Sequence, residues 1–204
     1  MQHHLENYPA DFSALFNLGA LRLNRKDIPS AIGYLRRALG SEPEQPTALN
    51  SLGVALQSDG KSGEAAEQFR HALRIQSDYT DARYNLANLL ALQGNMEESA
   101  ANFRQVLAAV PGDVNARERL VAALTQLGAS AFSEGRTAVA ADYYRELVGL
   151  EPGNADLHNN FGIVLVRIGD IPGAIEQFSA ALKADPGHQP ARRNLDLARK
   201  KLPQ

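Results

Sequence analysis

The chain has no cysteine and no tryptophan. The first absence excludes disulfides and thiolate chemistry, and it fits a reducing compartment. The second means that any aromatic anchor on a binding surface is a tyrosine or a phenylalanine. No apolar run is long enough to cross a bilayer, so membrane insertion is not expected. The opening residues MQHHLENYPADF have neither the apolar core nor the cleavage site of a signal peptide. With the missing cysteines, this favours a cytoplasmic location. A basic excess is also lacking, since the formal net charge is −2 and the pI about 6.2. Nucleic-acid binding asks for a basic stripe, so no nucleic-acid partner is expected.

Catalytic patterns are missing too. His3, His4, His71, His158 and His188 form no His-x-x-x-His or Glu-x-x-His pattern on a helix face. The glycines fall at turns and helix crossings, not in a phosphate-binding loop. No Ser/His/Asp set has positional logic. The chain is therefore read as no enzyme, with no metal and no cofactor.

What the sequence does hold is periodicity. In Ala155–His188, the residues Leu157, Phe161, Val164, Leu165 and Ile168 recur at three- and four-residue steps, one face of a helix. Gly169-Asp170 breaks the pattern, and Pro172 suits the first turn of a new helix. Ala174, Ile175, Phe178, Ala181 and Leu182 then mark a second apolar face, which Asp185-Pro186-Gly187 ends. Two such short helices cannot bury their faces alone and need stacked neighbours. The neighbours are there. Pro9, Pro43, Ser77 and Pro111 follow one another at 34-residue steps, as do Pro152 and Pro186, while Pro111 to Pro152 is 41. A small residue recurs in each first helix (Gly19, Gly53, Ala87, Gly128, Gly162). A second begins each second helix (Ala31, Ala65, Ser99, Ala140, Ala174), and a large residue follows it (Leu35, Phe69, Phe103, Tyr144, Phe178). Small residues at close crossings and large ones in the gaps are what a packed helix pair needs.

The motifs LFNLGA (15–20), LNSLGVAL (49–56), RYNLANLL (83–90), LTQLGASAF (124–132) and HNNFGIVL (158–165) lie in this register. The chain thus resembles the tetratricopeptide repeat family over nearly its whole length. The resemblance implies an all-α fold, a right-handed α-solenoid of stacked antiparallel helix pairs, forming a single domain. Its expected parts are a half repeat at 1–11 and full repeats at 12–45, 46–79, 80–113, 114–154 and 155–188, followed by a capping helix at 189–202. The fourth repeat carries seven extra residues, at about Val114–Leu120. Seven residues at about 100° each make about 700°, some 20° short of two turns. A first helix over roughly 114–134 can therefore lengthen without rotating its core face, and Arg117, Glu118 or Arg119 would project from it as a ledge. The half repeat would leave an apolar N-terminal edge. Arg192, Arg193, Arg199, Lys200 and Lys201 would solvate the capping helix.

In this family the first helices line a concave groove that binds peptides. One groove position reads Asn17, Ser51, Asn85, Gln126, Asn160 and Asn194 down the repeats. A carboxamide both donates and accepts, so spaced amides can hold an extended main chain regardless of its side chains. The row is similar to the asparagine ladder in the repeats of O-linked N-acetylglucosamine transferases, from which Ser51 and Gln126 depart. The plainer alternative is that these amides bond within or between helices. Neighbouring positions are Phe16, Asn50, Tyr84, Thr125, Asn159 and Arg193, then Ala20, Val54, Asn88, Ala129 and Ile163. Charges are few on this stripe, which favours an uncharged, extended segment with Phe16, Tyr84 and Asn88 adding selectivity. The two-carboxylate clamp of chaperone-binding members is not matched, because its positions hold Phe16, Ala20, Ser51, Asp81 and Asn85. The expected function is a protein–protein interaction module, acting as adaptor or scaffold. Two other readings stand beside it: the targeting arm of a larger enzyme such as a glycosyltransferase, and a structural scaffold that self-associates through its N-terminal edge.

Overall fold

A computed structural model describes residues 11–201. The half repeat and apolar edge expected before Asp11 lie outside the described residues. Among the described residues there are eleven α-helices and no strand. The chain divides into two compact units, Met1–Ala116 and Arg117–Gln204.

The first unit holds α1 (Phe12–Asn24), α2 (Ile28–Ser41), α3 (Pro46–Ser58), α4 (Ser62–Ile75), α5 (Thr80–Leu92) and α6 (Met96–Ala109). The helices pair as α1/α2, α3/α4 and α5/α6. Each pair stacks on the next through α2–α3 and α4–α5, and the first helices also meet directly, α1 with α3 and α3 with α5. The sequence places the ends. Asp11 caps α1 by accepting from the Ala14 N–H at 2.7 Å, and Asp27 caps α2 through Ser30 N–H at 3.4 Å. The turns inside the second and third pairs need a left-handed residue, supplied by Gly60 (φ 78°) and Gly94 (φ 81°). Lys26 takes the same conformation in the first pair at φ 60° and bears the Cβ strain that glycine avoids. On the second helices, Arg36–Glu64 (2.7 Å) and Arg70–Glu98 (3.1 Å) repeat one ion pair a repeat apart. Both are exposed, so each adds about 1 kcal/mol at most.

The second unit comprises α7 (Val114–Ser133) from Arg117 onward, α8 (Thr137–Leu150), α9 (Ala155–Ile168), α10 (Ile171–Ala184) and α11 (Gln189–Arg199). Here α8 packs on α9, α9 on α10, and α11 on both α10 and α9. The small-against-large crossings are in place. A Cβ on Gly162 would lie 2.4 Å from the Phe178 ring, and one on Gly128 3.2 Å from the Tyr144 ring. Gly19 and Gly53 meet Leu35 and Phe69 in the first unit in the same way.

Two details differ from the sequence reading. The two turns added to α7 are not a free ledge. Glu118 and Arg119 are exposed, but Ala116 and Leu120 are 0% and 1% exposed, extending the buried row of Ala123, Leu124 and Leu127. The insertion therefore brings core residues of its own. Ile168, placed on the core face by periodicity, is 45% exposed, because the helix ends there and Gly169 turns the chain away at φ 89°.

A polar device recurs that periodicity does not reveal. Arg83 donates to the Ser77 carbonyl and reaches Asn102 Oδ1 at 3.5 Å. At the equivalent position in α9, His158 is buried, with Nε2 3.1 Å from the Pro152 carbonyl and Nδ1 2.8 Å from the Gln177 side-chain amide. In α11, Arg192 donates to the Pro186 carbonyl at 2.6 Å. Each side chain satisfies a carbonyl of the turn that leads into its own helix.

Candidate functional site

The amides proposed for the groove fall into two groups. In the first unit, Asn85 Nδ2 donates to Asn50 Oδ1 at 2.9 Å, from α5 to α3. In the second, Asn194 Nδ2 donates to Asn159 Oδ1 at 2.9 Å, from α11 to α9. Both bonds join a ladder position to the neighbouring position one repeat earlier, and all four side chains are half-buried or buried. Asn159 is only 6% exposed, so it supports Asn194 and does not offer an open amide. The between-helix role of asparagine thus operates at these positions. Asn17, Gln126 and Asn160 differ, being exposed and having no side-chain hydrogen bond among the described residues. Ser51 donates to its own helix at Thr47 (2.8 Å), and Thr125 likewise to Val121 (2.8 Å).

The aromatic candidates are partly committed. The Phe16 ring stacks on Phe12 at 5.8 Å and packs against the core. Tyr84 meets Phe103 edge to face at 5.6 Å. Both remain half-buried, as does Asn88, while Arg193 is exposed. The Asn50 amide also bonds the hydroxyl of Tyr79. Burial, and then the negative charge of Asp81, push the Tyr79 pKa up against the opposing effect of that hydrogen bond. Burial raises the pKa of Tyr144 as well.

The second unit contains two hollows that are repeats of each other. One, of about 210 Å³, is walled by Ala129, Phe132, Tyr144, Asn160, Ile163 and Val164. The other, of about 260 Å³, is walled by Ile163, Val166, Phe178, Asn194, Leu197 and Ala198. Each residue of the second is the one 34 positions after its counterpart in the first. A ladder amide stands in the wall of each hollow, Asn160 in one and Asn194 in the other. Ile163 (38% exposed) and Leu197 (59%) present apolar surface to solvent. Lys201 also lines the second hollow, and the Arg167 guanidinium lies 4.7 Å over the Phe132 ring. Sequence reasoning missed Phe132, Val166 and Lys201. Reading two further stripes at the 34-residue step would have found them, Phe132 and Val166 on one, Arg167 and Lys201 on the next. Among the described residues, no group of three or more His, Asp or Glu side chains is placed to hold a metal ion.

Helix pairs of this length, stacked by a recurring small-to-large crossing, define a helical-repeat protein. The model for the tetratricopeptide repeat matches residues 4–48, 16–80, 50–114 and 115–189. The chain belongs to the tetratricopeptide repeat family. No curated protein matches it. Among solved structures it is similar to YrrB, described as a tetratricopeptide repeat protein with an unusual peptide-binding site. That likeness has a TM-score of 0.62 and 21% identity, over 98% of this chain and 97% of that one. It is also similar to the repeat protein BF2334 of Bacteroides fragilis, at TM-score 0.71 and 16% identity over 95% and 100%. A third is the first repeat domain of Spaghetti (RPAP3) bound to the HSP90 peptide SRMEEVD, at TM-score 0.56 and 18% identity over 57% and 92%.

Proposed function

We propose that this chain is a protein-interaction module that binds an extended segment of a partner protein along its first helices and acts as an adaptor or scaffold. The observation that carries the reading is the placement of Asn160 and Asn194 in the walls of two equivalent apolar hollows. Such a surface offers main-chain hydrogen bonds beside pockets for side chains, the arrangement an extended peptide requires. Two proteins of the same fold, YrrB and the RPAP3 domain, have peptide sites by their descriptions. In the first unit, Asn17, Ser51, Asn85 and Asn88 form a neutral stretch that suits an uncharged segment. Asp81, where the chaperone-carboxylate clamp would need a cation, argues against a C-terminal carboxylate ligand of that kind.

The test is capture of partners from the native lysate by the wild type and by Asn160→Ala, read by mass spectrometry. Asn160 is exposed and makes no internal hydrogen bond, so its removal leaves the fold intact. Loss of specific partners with the variant is the expected result. An unchanged set of partners would move binding away from the first helices.

A further inference from the structure

We infer that the second unit takes an extended partner segment with two apolar side chains three residues apart and carboxylates beside them, a refinement that rests on the groove reading above. The spacing comes from the repetition of the hollows. Neighbouring helices pack about 8–10 Å apart. A polyproline-II chain rises about 3.1 Å per residue with three residues per turn, so side chains i and i+3 point the same way about 9 Å apart. In a β-strand the same-face neighbours i and i+2 are only about 6.7 Å apart, too close to fill both hollows. The apolar walls of Ile163, Val166, Phe132 and Leu197 call for aliphatic side chains.

The charge comes from Arg167, Arg193 and Lys201, none of which has a carboxylate partner among the described residues. The Arg167 guanidinium is over the Phe132 ring at 4.7 Å, and a guanidinium on a ring face still has N–H groups for a carboxylate. Lys201 lines the second hollow. Arg193 is exposed next to Asn194. Asp156, in the first turn of α9 with its Oδ1 3.0 Å from His188 Nε2, is one negative charge against these three positive ones. The single acid of α11, Asp196, occupies the register position of Gly162, which in α9 faces Phe178 of α10 and does not line the first hollow. This stretch is therefore cationic, in contrast to the near-neutral stripe expected from the sequence.

The probe is a rhodamine-labelled, end-blocked peptide Ala-Leu-Ala-Glu-Leu-Ala-Glu-Ala, titrated with the full chain and followed by fluorescence anisotropy at low and high salt. Binding is expected to weaken about tenfold when both Glu become Lys, an effect that shrinks in high salt. It is expected to weaken about tenfold when the two Leu are moved to i and i+2, and again with Leu197→Ser on the protein. Lys201→Glu is expected to narrow the preference for the Glu peptide over the Lys peptide. Leu197 and Lys201 are exposed, so both variants keep the fold, which circular dichroism checks. No binding of the parent peptide, equal binding of the Glu and Lys peptides or of the two spacings, or indifference to Leu197→Ser would each overturn the inference. If partners are still lost with Asn160→Ala while charge and spacing make no difference, the groove reading survives and this refinement alone falls.

Discussion

The close crossing of α9 and α10 allows a sharp test. In Gly162→Ala the new Cβ would sit 2.4 Å from Phe178 Cε1 and 2.7 Å from Cδ1, about 1 Å inside contact distance. Phe178 is 1% exposed, and its ring can yield only toward the hollow it lines, giving up its present packing. Alanine gains about 1 kcal/mol of helix propensity over glycine, whereas overpacking a filled core costs about 1–3 kcal/mol. A full clash belongs at the upper end of that range, so the net loss is about 1–2 kcal/mol. Two other glycines calibrate the result. In Gly128→Ala the nearest approach is 3.2 Å, which a slight shift of Tyr144 relieves, so gain and cost nearly cancel. In Gly33→Ala nothing lies within 4 Å, and the propensity gain of about 0.5–1 kcal/mol stands alone. The α5/α6 crossing shows that the core can accept alanine when the ring is placed for it, because Ala87 and Phe103 are both fully buried there. Thermal melts of the three variants, with about 2–4 °C expected per kcal/mol, should rank Gly33→Ala above Gly128→Ala above Gly162→Ala. A rise for Gly162→Ala equal to that for Gly33→Ala would refute the packing argument.

Leu120→Ala should cost about 2–4 kcal/mol, because Leu120 is 1% exposed. Arg119→Ala should stay within about 0.5 kcal/mol, and equal effects in chemical denaturation would mean the added turns are not core. Lys26→Gly relieves the left-handed strain at φ 60° and should raise the melting temperature, by about 0.5–1 kcal/mol in stability. The raised pKa of Tyr79 and Tyr144 means the folded protein holds those protons to higher pH than the unfolded chain. Their effect is constant below the unfolded value of about 10, and stability is lost as pH rises beyond it. Tyr144→Phe should make that alkaline decline shallower, and an unchanged slope in melts above pH 10 would contradict the burial argument.

Helix ends were legible because they are written locally. Asp11 and Asp27 cap, Pro29, Pro46 and Pro172 open first turns, and Gly60, Gly94, Gly135 and Gly169 take positive φ. The small-to-large crossings were legible because the 34-residue step shows them five times. Less was visible where one residue's role depends on another a repeat away. Nothing near Asn85 reveals that its amide is used by Asn50, whereas Asn160, in the same column, makes no such bond to Thr125, the residue that stands where Asn50 does. Arg83, His158 and Arg192 share a task that their differing chemistry hides. Leu120 reads as part of an insertion, yet it is buried like any core leucine.

The two asparagine bonds have a direction. In both units the later helix gives its Nδ2 hydrogen and the earlier helix receives it on Oδ1. Asn85 and Asn194 each keep a second Nδ2 hydrogen and an Oδ1 that these bonds do not use. For a main chain laid against either residue, Oδ1 can take an N–H, which a proline does not have, and the second Nδ2 hydrogen can meet a carbonyl. Asn17, Gln126 and Asn160 keep both halves of the amide and accept either polarity. Asn85 and Asn194 are thus held in one orientation by a neighbouring helix, whereas Asn17, Gln126 and Asn160 can turn, so a ligand backbone meets amides that are set at two positions and adjustable at three.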